Sequence, residues 1–311
     1  MSKQRQLKMN DGRIDLEVPP GARGQLVKDF QTCFNREIEE GRQDAEQIDV
    51  DGIFGPQTSK AVKHINSFQK VKDGVMRTDT FRGVSMPFSF VADFSDHQHT
   101  IDFKGLNSIG FDHAYYKLTE GFDYRSKKTD RLRDARDHMT LLGAYHFGRP
   151  DLHANREDAK KEAQNFLEMI EELEGKGVEF LLPHAYDFEK GDKNDEQHNV
   201  QYFETFTKEL LNHKHWNNPA IYTARWAVDS LATSDLFRVI EDLNVQVWWA
   251  EYIREFPKGG PQKIPALMKD CRMWQMTAEF TCEHVKRWNG EAAKFDVNFS
   301  WDTKNVEKRY C

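Results

Sequence analysis

The feature that most constrains this chain is a series of eight short apolar segments that follow Ser89. Each is rich in β-branched or aromatic residues, which is typical of buried strands. The eight segments cover residues 90–95, 113–120, 142–148, 179–189, 219–224, 245–252, 272–277 and 295–299. Because eight strands is the number that closes a β/α barrel, the pattern predicts an α/β fold of this class.

The connections between these segments change along the chain. Helical patterns cover residues 127–139, 155–174 and 195–212 and separate the earlier strands. After Tyr252 the connections are rich in loop-forming residues, namely Pro257, Gly259, Gly260, Pro261 and Pro265. We therefore expect residues 89–311 to form an irregular TIM-like barrel, with five βα units followed by three further strands.

A different pattern occupies the first part of the chain. Residues 1–22 form an N-terminal segment that ends in the stiff sequence Val18-Pro19-Pro20-Gly21, and an amphipathic helical pattern then runs from residue 23 to about Gly41. An Asp51-Gly52 turn and a Gly55-Pro56 loop precede a second helix near Gln57, and residues 72–80 repeat this corner in a weaker form. We expect a small all-α domain of three helices over residues 23–84 and a linker at 85–88.

Composition and charge exclude several classes of protein. The 311 residues suffice for about two domains, and no apolar run approaches the ~20 residues of a membrane span. Residues 1–88 carry 14 Lys and Arg against 13 Asp and Glu, and the remainder carries 30 against 38, so the net charges are +1 and -8. Neither part has the basic surface that nucleic acids require. We expect no nucleic-acid partner, no membrane insertion and, without a symmetric interface pattern, a monomer.

The cysteines and the N-terminus indicate where such a protein would work. The four cysteines, Cys33, Cys271, Cys282 and Cys311, form no CxxC pair and have no histidine at zinc-ligand spacing. We expect free thiols and no metal or other cofactor, although a Cys271–Cys282 bridge stays open for an oxidising compartment. Residues 1–10 are basic and no apolar segment follows them, so we expect no signal peptide.

Four carboxylates occur at or near the ends of the predicted strands: Asp93, Asp187, Glu189 and Asp296. In β/α barrels the reactive groups come from the C-terminal ends of strands, so we expect these four to share one cleft. Asp187 and Glu189 are two residues apart, so both face one side with Cα atoms ~6.6 Å apart. Crowded carboxyls raise one another's pKa, as a glycosidase acid requires. Judged on the residues alone, carboxylates there can also serve only as helix caps.

Eight motifs in this half occur in the order and spacing of a known family. They are VADFSDHQ at 91–98, KLTEG at 117–121, GAYHF at 143–147, DFE at 187–189, IYT at 221–223, WAEY at 249–252, WQ at 274–275 and DVN at 296–298. Together they resemble the family 25 glycoside hydrolases, the muramidases or lysozymes. The chain departs from the family in having Ala92 before its first Asp and Tyr186 before DFE, and both changes keep the carboxylates.

This resemblance implies a flattened β/α barrel that cleaves the bond between N-acetylmuramic acid and N-acetylglucosamine in peptidoglycan. The family's catalytic carboxylates correspond to Asp93, Asp187, Glu189 and Asp296. Glu189 would act as the general acid, and Asp187 would orient the 2-acetamido group if that group is the internal nucleophile. Asp93 and Asp296 would hold the oxocarbenium-like sugar. The spacing leaves the stereochemical route, substrate-assisted or direct, open.

Other residues at the same strand ends are candidates for substrate binding: Lys117, Tyr145, His146, Tyr222, Trp249, Tyr252, Trp274 and Gln275. The aromatic ones can form walls that stack on sugars, with barrel core as the alternative for each. Trp248 is assigned to the core, since adjacent residues of a strand face opposite ways. His97 can line the cleft as a hydrogen-bond donor.

The N-terminal corner resembles the peptidoglycan-binding domain found beside many cell-wall hydrolases. Its D-G-x-[FV]-G-x-x-T motif corresponds to Asp51, Gly52, Phe54, Gly55 and Thr58. The F-Q pair that follows in the family lies about one helical turn later here, at Phe68-Gln69. These motif residues are the candidates for a cell-wall-binding region, and the alternative is a helical linker domain in which they only form a turn.

The combination of the two resemblances implies a modular endolysin for host lysis. Such an enzyme would stay in the host cytoplasm until a holin-like pore releases it, and would then act on peptidoglycan in the periplasm or cell wall. The domain order resembles endolysins of Gram-negative hosts. Two alternatives remain. One is another hexosaminidase, a glucosaminidase or chitinase, although the chitinase DxxDxDxE run is absent. The other is a non-catalytic peptidoglycan-binding virion protein.

Overall fold

The computed structural model describes residues 8–10, 13–18, 20–68, 75–153, 155–213, 219–252 and 271–300. These residues divide into two compact units. The first contains the described residues up to Ser89, with Tyr252 and Ser300, and the second contains residues 90–251 and 271–299. The loop predicted around Pro257–Pro265 lies outside the described residues, as do Cys311 and residues 69–74, which hold part of the weaker repeat.

The first unit begins with a short antiparallel pair, β1 (Lys8–Asn10) and β2 (Arg13–Asp15), which precedes three helices. These are α1 (Gln25–Glu39), α2 (Pro56–Phe68) and α3 (Thr78–Arg82). The apolar stripe of α1 is buried, and the Phe30 ring packs edge to face with Phe81 at 6.5 Å between centroids. Helix α1 ends just before Gly41, whose φ of 71° suits glycine.

The second unit alternates strands and helices. In chain order its elements are β3 (Ser89–Phe94), β4 (Thr100–Ile101), α4 (Phe103–Ser108), β5 (Phe111–Glu120), β6 (Tyr124–Arg125), α5 (Arg131–His138), β7 (Leu141–Phe147), α6 (Arg156–Glu174), β8 (Ala185–Asp187), α7 (Glu196–Asn212), β9 (Ala220–Ala224), α8 (Arg225–Leu231), α9 (Asp235–Asp242), β10 (Gln246–Ala250), β11 (Cys271–Phe280), β12 (Val285–Lys286) and β13 (Phe295–Ser300).

Eight of these strands close into a barrel. Their order around the sheet is β3-β13-β11-β10-β9-β8-β7-β5, and β5 returns to pair with β3. The eight-stranded barrel-like sheet predicted from the sequence is therefore confirmed. Strand β8 is much shorter than the predicted 179–189, because the amides of Leu181 and Leu182 both bond to the Leu142 carbonyl rather than continuing a regular ladder.

The direction of the last strand corrects one expectation. Seven barrel strands from β3 to β11 are parallel to their neighbours. In β13 the Phe295 ring packs on Phe94 at 5.2 Å and the Phe299 ring packs on Phe90 at 5.6 Å, so β13 runs antiparallel to β3. Asp296 therefore enters the barrel from the start of its strand, whereas the sequence analysis placed it at a C-terminal end.

Alternation along the strands separates two apolar layers. Inside the barrel Val91, Tyr115, Tyr222 and Trp248 belong to one buried cluster. On the outer face the Tyr186 ring packs on Phe206 of α7 at 4.8 Å between centroids. Each barrel residue thus faces either the interior or the helices, and this parity decides which side chains can reach a ligand.

Three further features of the described residues bear on function. No helix in the described ranges has the length and apolar character needed to cross a bilayer. Cys33, Cys271 and Cys282 are free thiols, so the alternative bridge between Cys271 and Cys282 is not formed. No group of three potential metal ligands occurs in the described part of the chain.

Candidate active site

A cleft of about 290 Å³ opens at the C-terminal ends of the parallel strands. It brings together all four carboxylates singled out from the sequence. The lining residues are Asp93, Ser95, His97, Gln98, Lys117, Tyr145, Phe147, Asp187, Glu189, Tyr222, Trp248, Gln275, Ala278, Lys294, Phe295 and Asp296. Because this edge of the sheet collects the ends of seven parallel strands, side chains far apart in sequence meet here.

Asp93 is the most strongly held of the four carboxylates. Its Oδ2 accepts hydrogen bonds from Asn298 Nδ2 at 3.0 Å and from Gln275 Nε2 at 3.4 Å. Each donor is fixed in turn, because Trp248 Nε1 donates to Asn298 Oδ1 at 2.8 Å and the Tyr222 hydroxyl donates to Gln275 Oε1 at 2.7 Å. Two buried relays thus orient the Asp93 carboxylate.

Asp93 also shares a proton with Asp296. Burial, followed by the charge of Asp93 and a hydrogen bond to it, raises the pKa of Asp296 to about 9. Burial also raises the pKa of Asp93, but the hydrogen bonds from Asn298, Asp296 and Gln275 oppose that rise. The two shifts favour a proton held between these carboxyls, with Asp296 as its donor to Asp93.

Asp187 and Glu189 form the second carboxylate pair. Burial, followed by the charge of Glu189, raises the pKa of Asp187 well above its usual range, and Lys117 opposes the shift. Burial and then the charge of Asp93 raise the pKa of Glu189. Asp187 lines the cleft, and its Oδ1 is buried without a hydrogen-bond partner among the described residues.

Lys117 brings positive charge to the cleft near Asp187. Lys117 Nζ lies 2.5 Å from Glu120 Oε2 and 4.4 Å from the centroid of the Phe147 ring. Its side chain is 15% exposed, so the ammonium is largely fixed. Together with Tyr145, Tyr222 and Gln275, Lys117 lies in the cleft as the sequence analysis expected, and His97 also lines it.

Three predicted substrate-binding residues do not line the cleft, because they lie on the outer face of their strands. His146 is fully buried between Thr119 Oγ1 and Glu162 Oε2, each 2.8 Å from a ring nitrogen. Trp249 and Trp274 are also fully buried, while the inward-facing residue of β10 is Trp248. The parity of β10 was therefore assigned wrongly from the sequence.

Sequence reasoning missed several residues of the site, among them Trp248, which lines the cleft, and Asn298, which is buried and donates to Asp93. Trp248 was assigned to the core alone, and Asn298 was not singled out, although it lies two residues after Asp296 and so shares its face. That i, i+2 relation was the available signal. Tyr252 lies two residues beyond β10 and is 48% exposed, so its role in substrate binding stays a prediction.

In the first unit the motif residues build a turn. Gln31 of α1 is the centre of that turn, because its Nε2 donates to Asp51 Oδ1 and Thr58 Oγ1, each at 2.9 Å, and its Oε1 accepts from the Gly52 amide at 2.8 Å. Gly52 has a φ of 71°. Phe54 and Thr58 are buried, so these two cannot touch a polymer as the cell-wall-binding assignment supposed.

A groove of about 530 Å³ lies beside that turn within the first unit. Gly55 leads directly into α2, whose residues form one wall of the groove. The lining residues are Phe34, Asp44, Ala45, Glu46, Gln47, Ile48, Gln57, Lys60, Ala61 and His64. The motif residues thus do not line the groove but form the turn that positions helix α2 beside it.

Comparison with known proteins gives a family for the second unit. Residues 92–285 match the family described as glycosyl hydrolases family 25. A search of curated proteins finds no significant match.

Several solved structures share the fold. A bacterial lysozyme from Streptomyces coelicolor is 18% identical, over 68% of this chain and 90% of that chain, with a TM-score of 0.52. The Clostridium perfringens spore cortex lytic enzyme SleM is 19% identical over 68% and 67%, with a TM-score of 0.56. The CTP1L endolysin is 19% identical over 71% and 68%, with a TM-score of 0.52.

Proposed function

Because the chain belongs to glycosyl hydrolase family 25, we propose that this glycoside hydrolase is an N-acetylmuramidase, a lysozyme of class EC 3.2.1.17. Its substrate would be the β-1,4 bond between N-acetylmuramic acid and N-acetylglucosamine in bacterial peptidoglycan. The convergence of Asp93, Asp187, Glu189 and Asp296 in one cleft carries this proposal. The similar structures named above as a lysozyme, a cortex-lytic enzyme and an endolysin support it.

Glu189 is the proposed general acid. A carboxyl that protonates a leaving oxygen must keep its proton near neutral pH, which requires a raised pKa. Burial and the charge of Asp93 shift the pKa of Glu189 in that direction. The proton of Glu189 passes to the glycosidic oxygen as the bond from the muramic C1 to that oxygen breaks.

Asp187 is proposed to orient the 2-acetamido group of the muramic sugar. Its carboxyl lines the cleft and would accept the amide N–H, and its Oδ1 has no partner among the described residues. The acetamido oxygen then attacks C1, and water later opens this intermediate while Glu189 takes the proton back. Asp93 supplies negative charge to the positive sugar ring, and Asp296 holds Asp93 in place.

Digestion of purified murein followed by mass spectrometry of the fragments tests this proposal. We expect fragments that end in reducing muramic acid. Reducing glucosamine would instead indicate a glucosaminidase, and intact murein would indicate a non-catalytic binding protein. Glu189→Gln should fold normally and lose lysis by at least about 100-fold, the usual contribution of a general acid.

We also propose that residues 23–84 tether the enzyme to peptidoglycan through the groove beside α2. A second contact raises the effective concentration of substrate at the cleft. Lys60 lines the groove, whereas Lys63 is exposed on the same helix outside it. In a Glu189→Gln background, Lys60→Ala should reduce sedimentation with sacculi and Lys63→Ala should not. Equal sedimentation of both variants would contradict the tether.

The cellular role that fits these two activities is that of a phage endolysin. In that role the enzyme is a monomer, accumulates in the host cytoplasm and reaches the murein after a holin-like pore opens. Expression of the chain in bacteria with and without a pore-forming protein tests the role. We expect lysis only when both are present, and lysis by the chain alone would contradict dependence on a pore.

A further inference from the structure

Trp288 is the most exposed large apolar side chain among the described residues, at 83% of its surface. It lies in the connection between β11 and β13, just past the end of the family match at residue 285. A tight turn carries it, because the Gly290 amide donates to the Arg287 carbonyl at 3.0 Å. An indole exposed to water gives up the stabilisation that its burial would provide, and exposed apolar groups of this kind can mark a binding site.

The hairpin that presents Trp288 is fixed at its base. Strand β12 pairs with β4, and the Ala293 amide donates to the Val285 carbonyl at 2.8 Å. The Asp102 amide donates to the His284 carbonyl at 2.8 Å, and the His284 ring lies 3.0 Å from Asp102 Oδ2. A side chain held on a paired hairpin loses little backbone freedom when it binds a ligand.

The same hairpin leads directly into the active-site cleft. Its return arm reaches Lys294 and Asp296, both of which line the cleft. The Lys294 carbonyl accepts from Gln98 Nε2 at 3.0 Å, which ties the arm to another cleft-lining residue. Trp288 lies six positions before Lys294, so their Cα atoms are at most ~20 Å apart. A glycan chain that occupies the cleft and extends past Lys294 could therefore also reach this indole.

Exposed apolar residues of the barrel concentrate at the end where the cleft opens. Phe122, Leu152, Trp226 and Trp288 all follow the C-terminal ends of parallel strands, after β5, β7, β9 and β11 respectively. Leu181, at 55% exposure, precedes β8 and so lies at the opposite end. Because these side chains cluster at one end, a binding surface that extends the cleft explains them better than random exposure does.

We propose that Trp288 forms a distal sugar subsite, stacking on a pyranose ring of the glycan strand several units from the bond that is cleaved. This inference rests on the proposed muramidase function and extends it to polymer length. An indole offers a flat, rigid face for a sugar ring and costs little conformational entropy. The subsite would favour long glycan strands over short fragments.

The test measures binding of peptide-free glycan strands to the full chain carrying Glu189→Gln. We expect Trp288→Ala to weaken binding roughly three- to tenfold, the range for loss of one stacking contact. Trp288→Phe should recover part of the loss because it restores an aromatic face. Leu181→Ala, which removes an exposed apolar side chain at the opposite end, is the matched control and should leave the affinity unchanged.

A second measurement separates this inference from the proposed function. With Glu189 intact, Trp288→Ala should lower the ratio of kcat/KM for long glycan strands to kcat/KM for a tetrasaccharide, through KM. An unchanged ratio with normal murein cleavage would overturn only the subsite. Failure of the unmodified protein to bind or cleave murein would overturn both. If Trp288→Ala instead loses binding to phosphatidylglycerol vesicles while its glycan affinity is unchanged, Trp288 is a membrane contact, and that result would also overturn the subsite.

Discussion

Asp93 links the two halves of the proposed chemistry, because it accepts from Asn298 and Gln275 and acts electrostatically on Glu189. Activity requires protonated Glu189, so it should fall as pH rises through the raised pKa of that group. Asp93→Asn removes a negative charge that contributes to the shift. We therefore expect the alkaline limb of the kcat/KM profile to move to lower pH by about one unit, besides a large loss of rate.

The control for that profile is Glu172→Gln, which removes a carboxylate that pairs with Lys176 at 2.5 Å on the surface, away from the cleft. Its alkaline limb should stay where it is in the unmodified protein. If the limb of Asp93→Asn also stays in place, Asp93 does not tune Glu189 and the assignment of the general acid must change.

The two adjacent tryptophans of β10 provide a matched pair. Trp248 Nε1 donates to Asn298 Oδ1, whereas Trp249 Nε1 has no hydrogen-bond partner among the described residues. Trp248→Phe should release Asn298 and lower kcat for murein by about tenfold. Trp249→Phe should lower the melting temperature through loss of packing and leave kcat nearly unchanged. Similar kcat values for both variants would rule out the relay.

These residues also show what a sequence can tell about a site. The i, i+2 spacing of Asp187 and Glu189 correctly predicted a shared cleft. The same rule does not say which of Trp248 and Trp249 faces inward, since both neighbours are apolar and either fits a buried layer. The relays to Asp93 join residues more than 180 positions apart, and no local pattern encodes such contacts.

Helix α6 and strand β7 are joined by a buried polar contact. Glu162 and His146 are both fully buried, and Glu162 Oε2 lies 2.8 Å from His146 Nε2. Glu162→Ala leaves the imidazole without this partner, so we expect it to lower the free energy of unfolding by about 3 kcal/mol. Urea denaturation followed by circular dichroism measures this loss.

The control lies on the same helix. Glu168 pairs with Arg125 at 2.5 Å but is 47% exposed, and exposed ion pairs contribute at most about 1 kcal/mol. Glu168→Ala should therefore change stability little. If the free energy of unfolding falls by the same amount in both variants, the contact between Glu162 and His146 is not what stabilises the packing of α6 on the barrel.

At the level of elements, the barrel strands and the long helices were predictable and most short helices were not. All eight barrel strands and helices α5, α6 and α7 coincide with patterns in the sequence. Helices α4, α8 and α9, of six to eight residues, had no predicted counterpart, although the equally short α5 had one. The antiparallel direction of β13 depends on chain reversal between β11 and β13, which strand propensity does not encode.

On the scale of the whole molecule, the carboxylate cleft should cost stability. A carboxyl whose pKa is higher in the folded state stays protonated in the fold at pH values at which the same carboxyl is already ionised in the unfolded chain. Its contribution to stability is therefore lost as pH rises from the unfolded pKa towards the folded one. For Asp296 that window runs from ~4 to about 9. The cost in stability that Asp296 imposes should accordingly be small near pH 4 and grow as the pH rises towards 9.

Asp296→Asn tests this directly, because an amide does not ionise and its N–H can still donate to Asp93. We expect a higher melting temperature than that of the unmodified protein at pH 8, and a difference that shrinks towards pH 4. Asp102→Asn provides a control of opposite sign, since the Gly105 amide lowers the pKa of Asp102. That variant should be less stable than the unmodified protein at pH 8. A gain for Asp296→Asn that is constant with pH would mean that packing rather than proton uptake limits stability, and that the cleft is not strained by its charges.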